Sequence, residues 1–381
     1  MKILYVLSGT TIYGGATKAF LNLLRGVIKE GVVPYVFVPD EDGIYNQLIE
    51  MGIIVKVSNL RFSCWPPLQT IIDVFLFLPR LFYHLYLNIK AYNRLVDFAS
   101  FVKPDIIHTN VSVVDVGFRV ARKLKIPHVW HIREYGDLSF KYAPSYKSFI
   151  SHLNDPINNC IAITHGVKEH FQLSDKKCRV VYDGVMSSLD ARSHIQKANY
   201  FLFAGRLEEA KGIEMCIKAY VAFWEKTASP IKLLIAGDSI DSNYYHYLIT
   251  LKKNAPVEFL GMRTDIYDLM LNSSGVIVPS SHEGFGFITA EAMFNDCLVI
   301  GRNISGTKEQ MDNGVNLTGK EIALRFDTQE ELQERLLEIN NNGIDSYTDI
   351  RKRAQTTVLK LYTAEANTHG VLSYYKNILG I

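Results

Sequence analysis

The sequence predicts an α/β protein made of two doubly wound parallel sheets, Rossmann-like domains that face one another across a cleft. Three observations carry the prediction. Short apolar runs alternate with stretches of helical period, the pattern of parallel strands joined by crossover helices. That pattern runs to about residue 163 and starts afresh at residue 200. The length, 381 residues, exceeds one ordinary core but suits two domains of about 150–200 residues.

In the first half, strands are expected at 3–7, 35–38, 53–57, 105–108, 128–132 and 160–163. Helices are expected near 16–30, 44–51 and 114–124. In the second half, strands are expected at 200–204, 232–236, 257–260, 276–278 and 298–300. Helices fall near 213–226 and 244–251, and another starts at 288. The polar stretch 183–199 reads as the linker, so the domains are 1–183 and 184–362. A last helical stretch, 363–381, is expected to cross back onto the first domain. Ligands of such sheets bind beyond the carboxyl ends of the strands.

Residues 61–103 stand apart. Phe62, Trp65, Phe75, Phe77, Phe82, Tyr83, Tyr86, Tyr92 and Phe98 mix with Arg61, Arg80, Lys90, Arg94 and Lys103. Asp73, Pro79, Arg80, His84 and Asn88 interrupt the apolar run, which argues against a membrane span. A helix pair is expected, either packed on its own sheet or lying in a membrane interface.

Composition is that of a soluble globular chain, 48% hydrophobic and 21% charged. Five scattered cysteines, odd in number and never Cys-x-x-Cys, point to a reducing cytosol rather than a zinc or disulfide framework. Residues 2–7 read as a strand, not a leader peptide. The net charge of +2 hides an asymmetry. Residues 1–183 hold 21 Lys+Arg against 15 Asp+Glu, or +6; the rest hold 20 against 24, or −4. The basic half suits an anionic membrane surface. No nucleic-acid partner is expected.

The most informative stretch is 276–292. An apolar strand ends at Pro279, and a glycine-bracketed turn carries Glu283. A helical pattern follows with Glu291 eight residues on. Two helical turns put the carboxylates roughly 10 Å apart, too far to act as an acid/base pair on one bond. That separation suits two hydroxyl-bearing ends of a long ligand, with the amides of Gly284, Phe285 and Gly286 offered to its middle. A nucleotide sugar has that layout. Two acids on a turn and a helix face could equally be solvated.

Gly205 and Arg206 end the first strand of the second half, and Lys211 and Gly212 precede its helix. Cations and glycines there form a diphosphate cradle; salt bridges to Glu208 and Glu209 are the plainer reading. Asp238 ends another strand of the same sheet. In the first half, Ser8-Gly9-Thr10-Thr11-Ile12-Tyr13-Gly14-Gly15 is neither a Walker loop nor Gly-x-Gly-x-x-Gly. Gly14 and Gly15 let backbone approach a phosphate or make a plain turn. His131, at a strand end, is expected to face ligand and bond a sugar hydroxyl, with a satisfied core histidine as its alternative; His108 is left as core. The string Asp40-Glu41-Asp42 could hold a metal–diphosphate, but reads better as a solvated turn.

Ala204-Gly205-Arg206…Lys211-Gly212, Ala236-Gly237-Asp238, Phe259-Leu260-Gly261, the glutamate pair and Ser305-Gly306-Thr307-Lys308-Glu309 occur in one order. That order resembles the retaining glycosyltransferases of family 4, with the GT-B arrangement of two Rossmann-like domains. The resemblance covers nearly the whole chain and is most specific from 201 to 310. It implies that 1–183 binds acceptor and 184–362 binds the nucleotide-sugar donor. It implies that Arg206 and Lys211 hold the diphosphate, Glu283 the sugar and Glu291 the ribose. Gly15 would approach the diphosphate, His131 would lie near the sugar, and backbone at Met262 would hold the base. Ser-Gly-Thr-Lys replaces the Gly-Gly and Pro that the family often has before Glu309. The reading expects no cofactor and no metal, since fixed cations would stabilise the leaving group. The acceptor would be a glycan or lipid-linked hydroxyl. The rivals are a nucleotide-sugar epimerase of the same fold and a non-catalytic nucleotide-sugar-binding subunit.

Overall fold

A computed structural model of the chain describes residues 1–12, 14–68, 70–193 and 196–381. Tyr13 of the first glycine loop and His194 and Ile195 of the expected linker lie outside the described residues. The chain divides into two units, Met1–Gly184 with Asn367–Ile381, and Val185–Ala366.

In the first unit, β1 (Lys2–Val6), β2 (Val33–Val38), β3 (Ile54–Val57), β4 (Ile106–Thr109), β5 (His128–Ile132), β6 (Asn158–Ala162) and β7 (Cys178–Val180) form one parallel sheet. Its order is β3-β2-β1-β4-β5-β6-β7. Every residue of β4 and β5 is buried, as a sheet covered on both faces requires. The helix Gly15–Lys29 buries Phe20, Leu23, Leu24 and Val27 in the core. The last helix, Ala364–Leu379, adds Val371, Leu372, Tyr374 and Tyr375 to the same core. Full burial of such side chains stabilises by about 1.5–3 kcal/mol each. Tyr374 also donates to the carbonyl of Lys177, and Asn367 to that of Tyr182.

In the second unit, β8 (Tyr200–Ala204), β9 (Lys232–Ala236), β10 (Val257–Gly261), β11 (Gly275–Val278), β12 (Val299–Arg302) and β13 (Leu324–Phe326) form a second parallel sheet. Its order is β10-β9-β8-β11-β12-β13. In each sheet the order reverses beside the first strand, between β1 and β4 and between β8 and β11. Those reversals are the topological switch points at which such sheets bind ligands.

Three features depart from the sequence expectation. The edge strands β7 and β13 have three residues each, too few to show a period. Helices at Gln329–Asn342 and Thr348–Leu361 fill a region that the sequence reading left unassigned. And residues 61–103 hold one 32-residue helix, Ile71–Val102, rather than a pair. Pro79 lies inside it without ending it. By length and composition alone this helix is apolar enough to cross a membrane, with Asp73, Arg80, His84 and Asn88 standing inside that stretch.

Candidate functional site

The site in the second unit starts from two loops locked together at the β8/β11 switch point. After β8 the chain turns through Gly205, at φ +149°, and a short turn Glu209–Lys211 ends on Gly212 at φ +70°. A Cβ on Gly212 would lie 2.2 Å from the carbonyl oxygen of Pro279, so only glycine lets the two loops touch. Ser281 completes the lock, its amide and hydroxyl both donating to the carbonyl of Ala210 at 3.0 and 3.1 Å. The lock sets Lys211 against Glu283, Nζ to Oε1 2.7 Å. The hydroxyl of Ser280 donates to the same carboxylate oxygen at 2.8 Å. Lys211 and Glu283 are 26% and 19% exposed, so the pair is open to solvent and to exchange with a ligand.

The turn after Glu283 is fixed from behind. Gln310 donates to the carbonyls of Phe285 and Gly286, at 2.7 and 3.0 Å. The amide of Gly306 donates to the carbonyl of Glu283 at 3.0 Å. A Cβ on Gly306 would meet the Phe285 carbonyl at 2.4 Å. The departure at Ser305-Gly306-Thr307-Lys308 therefore keeps the one glycine that this packing needs. Gly286, at φ +93°, opens the helix Phe287–Phe294. Glu291 lies on that helix, 1% exposed, and accepts from the hydroxyl of Tyr267 at 2.9 Å. Burial, and then the Glu291 charge, push the Tyr267 phenol up, so it remains the donor.

Neighbouring strand ends carry the remaining positions. Arg206 is 70% exposed and pairs with Glu208 at 3.0 Å. The carbonyl of Asp238 accepts the Leu207 amide at 2.9 Å, which ties the β9 end to the β8 end. Met262, beyond β10, is exposed. Arg206, Lys211, Asp238, Met262 and Glu283 thus all follow carboxyl ends of one sheet.

In the first unit, Gly14 caps the helix Gly15–Lys29, its carbonyl accepting from the amides of Thr17 and Lys18. Asp40 accepts from the Thr10 hydroxyl and from the Asp42 amide, so the acidic string is a turn tied to the loop after β1. Among the described residues no group of three or more His, Cys, Asp or Glu is placed to hold a metal ion, and all five cysteines are buried and unpaired.

The expected outward-facing His131 is corrected. It is fully buried on β5, with Nδ1 3.3 Å from Nε2 of His108 and 3.2 Å from the guanidinium of Arg133. Asp183 meets Arg133 in the same cluster, and His108 bonds the hydroxyl of Tyr375 at 2.5 Å. Burial holds both histidines well below their usual range, and the Arg133 charge adds to it. The ring faced inward because both sides of β5 are covered, which position at a strand end does not reveal. Tyr267 and Ser280 were missed for a different reason. Ser280 stands three residues before Glu283 and could have been noticed, whereas nothing in the sequence marks Tyr267 as a partner of Glu291.

Two Rossmann-like units, one with an exchangeable ion pair at its switch point, define a nucleotide-binding class of α/β protein. Comparison with known proteins narrows it. The model for "Glycosyltransferase Family 4" matches residues 13–188, and that for "Glycosyl transferases group 1" matches 188–357. The chain belongs to the GT-B glycosyltransferases of the family 4 type. It is 23% identical over 243 residues to an uncharacterized glycosyltransferase of Methanocaldococcus jannaschii, covering 62% of this chain and 66% of that protein. It is 26% identical over 152 residues to the capsular polysaccharide biosynthesis glycosyltransferase CapM of Staphylococcus aureus, 38% of this chain and 36% of that protein. These alignments span less than two thirds of either relative. The crystal structure of HepE from Anabaena in complex with UDP has the same fold, with TM-score 0.76, 19% identity, and coverage of 99% of this chain and 100% of that one.

Proposed function

We propose that the chain is a retaining, metal-independent glycosyltransferase. It moves a sugar from a nucleotide-diphosphate sugar, a UDP-sugar foremost, to a hydroxyl of a glycan or lipid-linked acceptor in cell-surface polysaccharide synthesis. It would act in the cytoplasm, at the inner membrane face. The observation that carries the reading is the Lys211–Glu283 pair at 2.7 Å, part-exposed at the switch point, with Glu291 buried on the helix that follows. The relatives add the donor class, since HepE is solved with UDP and with UDP-glucose. CapM lends weight to the polysaccharide reading.

The chemistry asks for the charges that the site has. As the anomeric C–O bond breaks, positive charge grows on the sugar and negative charge on the departing diphosphate. Lys211 is neutralised by its ion pair with Glu283. A diphosphate would draw Lys211 away, with Arg206 swinging from Glu208 to the same oxygens. Both cations would then stabilise the leaving group, the role that otherwise falls to a metal. Glu283, released, would accept from sugar hydroxyls, and Glu291 from the ribose. The acceptor hydroxyl would attack the face that the diphosphate leaves, its proton passing to a phosphate oxygen of that leaving group.

The test is a panel of UDP-, GDP- and ADP-sugars screened for thermal protection, followed by product mass and anomeric NMR with isolated lipid and glycan acceptors, with and without EDTA. A retained anomer formed at full rate in EDTA is expected. Inversion, loss of activity on chelation, or an epimerised donor without acceptor would overturn the corresponding part.

A further inference from the structure

The helix Ile71–Val102 has two halves of opposite polarity. Its second half packs on the first unit through Leu87, Ala91, Leu95, Phe98, Ala99 and Val102. Its first half is apolar on the outside. Ile71, Ile72, Val74, Phe75, Leu78 and Phe82 are between 59% and 78% exposed, and Leu85, Tyr86 and Ile89 between 50% and 60%. With Leu76 and Tyr83, 40% and 52% exposed, these positions fan over roughly 200° of the helix at about 100° per residue. The polar residues of the same half, Asp73, Arg80, His84 and Asn88, take the opposite, less exposed side. A water-facing helix has the reverse arrangement.

The inward charges are cancelled. Arg80 donates to Asp73 at 2.5 Å, one on each side of Pro79. Burial, and then the charges of Arg61 and Arg80, hold His84 below the usual histidine range, so it stays neutral. Beside this half lies an aromatic and basic rim. Trp65 stacks on Phe77 with ring centres 6.1 Å apart, and Phe62 meets Phe140 edge-on at 5.1 Å. Hydrogen bonds from Trp65 to the carbonyls of Lys141 and Pro144 join the segment around 65 to the loop that carries Phe140 and Lys141 and leads into the helix Tyr146–Leu153, which starts with Tyr146 and Lys147. Arg61, Lys90, Lys141 and Lys147 are exposed there.

We infer that residues 71–89, with the rim around Trp65 and Phe140, are a docking surface for an anionic lipid bilayer, into which the outward Ile, Phe and Leu side chains insert. Two magnitudes choose this over the alternatives. Residues 71–89 run about 28 Å at about 1.5 Å per residue, just short of the roughly 30 Å hydrocarbon core, and from Leu87 onward the helix is held on the first unit, so the stretch lies in one leaflet rather than spanning. A second protein would cover one stripe of about 100°, half of the arc that is exposed here. Trp and Tyr at the level of the headgroups, with Lys and Arg beside anionic phosphates, complete the chemistry of an interfacial anchor. The inference deepens the membrane-face part of the proposed function and needs neither the donor site nor the transfer reaction, so flotation tests it apart from those.

The full chain is floated with vesicles of phosphatidylcholine alone and of phosphatidylcholine with 30% phosphatidylglycerol, a probe composition chosen to carry charge at about that fraction. Wild type is expected to float with the anionic vesicles and several-fold less with the neutral ones. The exposed-site variant Phe75→Asp/Phe82→Asp should lose binding by about 100-fold, as two Phe side chains no longer bury. Brominated lipids should quench wild-type tryptophan fluorescence, and Trp65→Phe should abolish that quenching, which decides the matter even where the double variant folds poorly. Wild type remaining in the aqueous fraction, equal binding to neutral vesicles, quenching unaffected by Trp65→Phe, or a dimer in sedimentation that buries this helix and excludes vesicles would each overturn the inference.

Discussion

The two sheets share a topology and treat charge at the carboxyl ends of their strands in opposite ways. Beside β8 and β11, Lys211 and Glu283 meet at the rim, a fifth to a quarter exposed, with Arg206 70% exposed beside Glu208. Near the ends of β4 and β5, Arg133 and Asp183 meet with both side chains 2% exposed, under His108, His131 and Tyr375. An exposed pair costs little to open, because water replaces each partner. A sealed pair cannot open without leaving a charge in a low dielectric. The first arrangement can trade a carboxylate for a phosphate. The second joins β4, β5, the Asp183 segment and the last helix into one body. Proximity of opposite charges therefore says little until burial is known.

The largest effect expected from this contrast is on stability. Arg133→Ala strands Asp183 in the core and should cost about 3–5 kcal/mol in urea or thermal unfolding. Lys211→Ala should do the converse, cutting transfer by about 10²–10³ while moving the unfolding midpoint little. Glu283→Ala should fall in the same range, and the double variant should be scarcely worse than either single one, since both act on one leaving step. Steady-state rates and melting curves on the same four variants check both sides. An unfolded Lys211→Ala protein, or a soluble and fully stable Arg133→Ala protein, would erase the distinction.

What the sequence makes legible follows the same line. The strands β8 to β12 and the turn at 279–286 were legible, because buried parallel strands write continuous apolar runs and a glycine-rich turn interrupts them. The three-residue strands β7 and β13 were not, since their pairing is decided by neighbours and not by their own sequence. Lys211 and Glu283 each stand out in the sequence as candidates, but their contact depends on Gly212 pressing against Pro279, 67 residues along the chain. His131 failed for the opposite reason, as a strand-end histidine looks the same whether helices cover it or not. The helix 71–102 was misjudged because Pro79 and a few polar residues look like breaks, whereas the polar ones share one side.

Acid should separate the two regions next. His128 is fully buried, bonded to Asn158 at 2.7 Å, and burial pushes it down to about 4. His108 and His131 are lowered by burial as well. For a depressed histidine the unfolded chain takes up the proton first. The stability that it contributes is full above about pH 6.5 and is lost as pH falls toward its folded value. For His128 that loss is on the order of 3 kcal/mol between pH 6.5 and 4. Buried Glu134, raised by burial, offsets part of it. Melting curves between pH 7.5 and 5 should show the midpoint falling by several degrees, and a flat profile would mean that the histidine cluster is open to solvent.

The smallest effect tests how the rim site is held rather than what it does. Tyr267 donates to Glu291 at 2.9 Å, and Glu291 has almost no contact with water. A ribose that binds this carboxylate needs it already aimed, and the phenol is one of the groups that aim it. Tyr267→Phe removes one neutral–charged hydrogen bond, worth about 1.5 kcal/mol, and keeps the ring. Donor KM should therefore rise about fivefold to tenfold with kcat within twofold, because ribose contacts are the same in the ground and transition states. A fall in kcat at constant KM would instead put Glu291 in the chemical step, and the contrast between a gripping carboxylate and the Lys211–Glu283 pair would have to be redrawn.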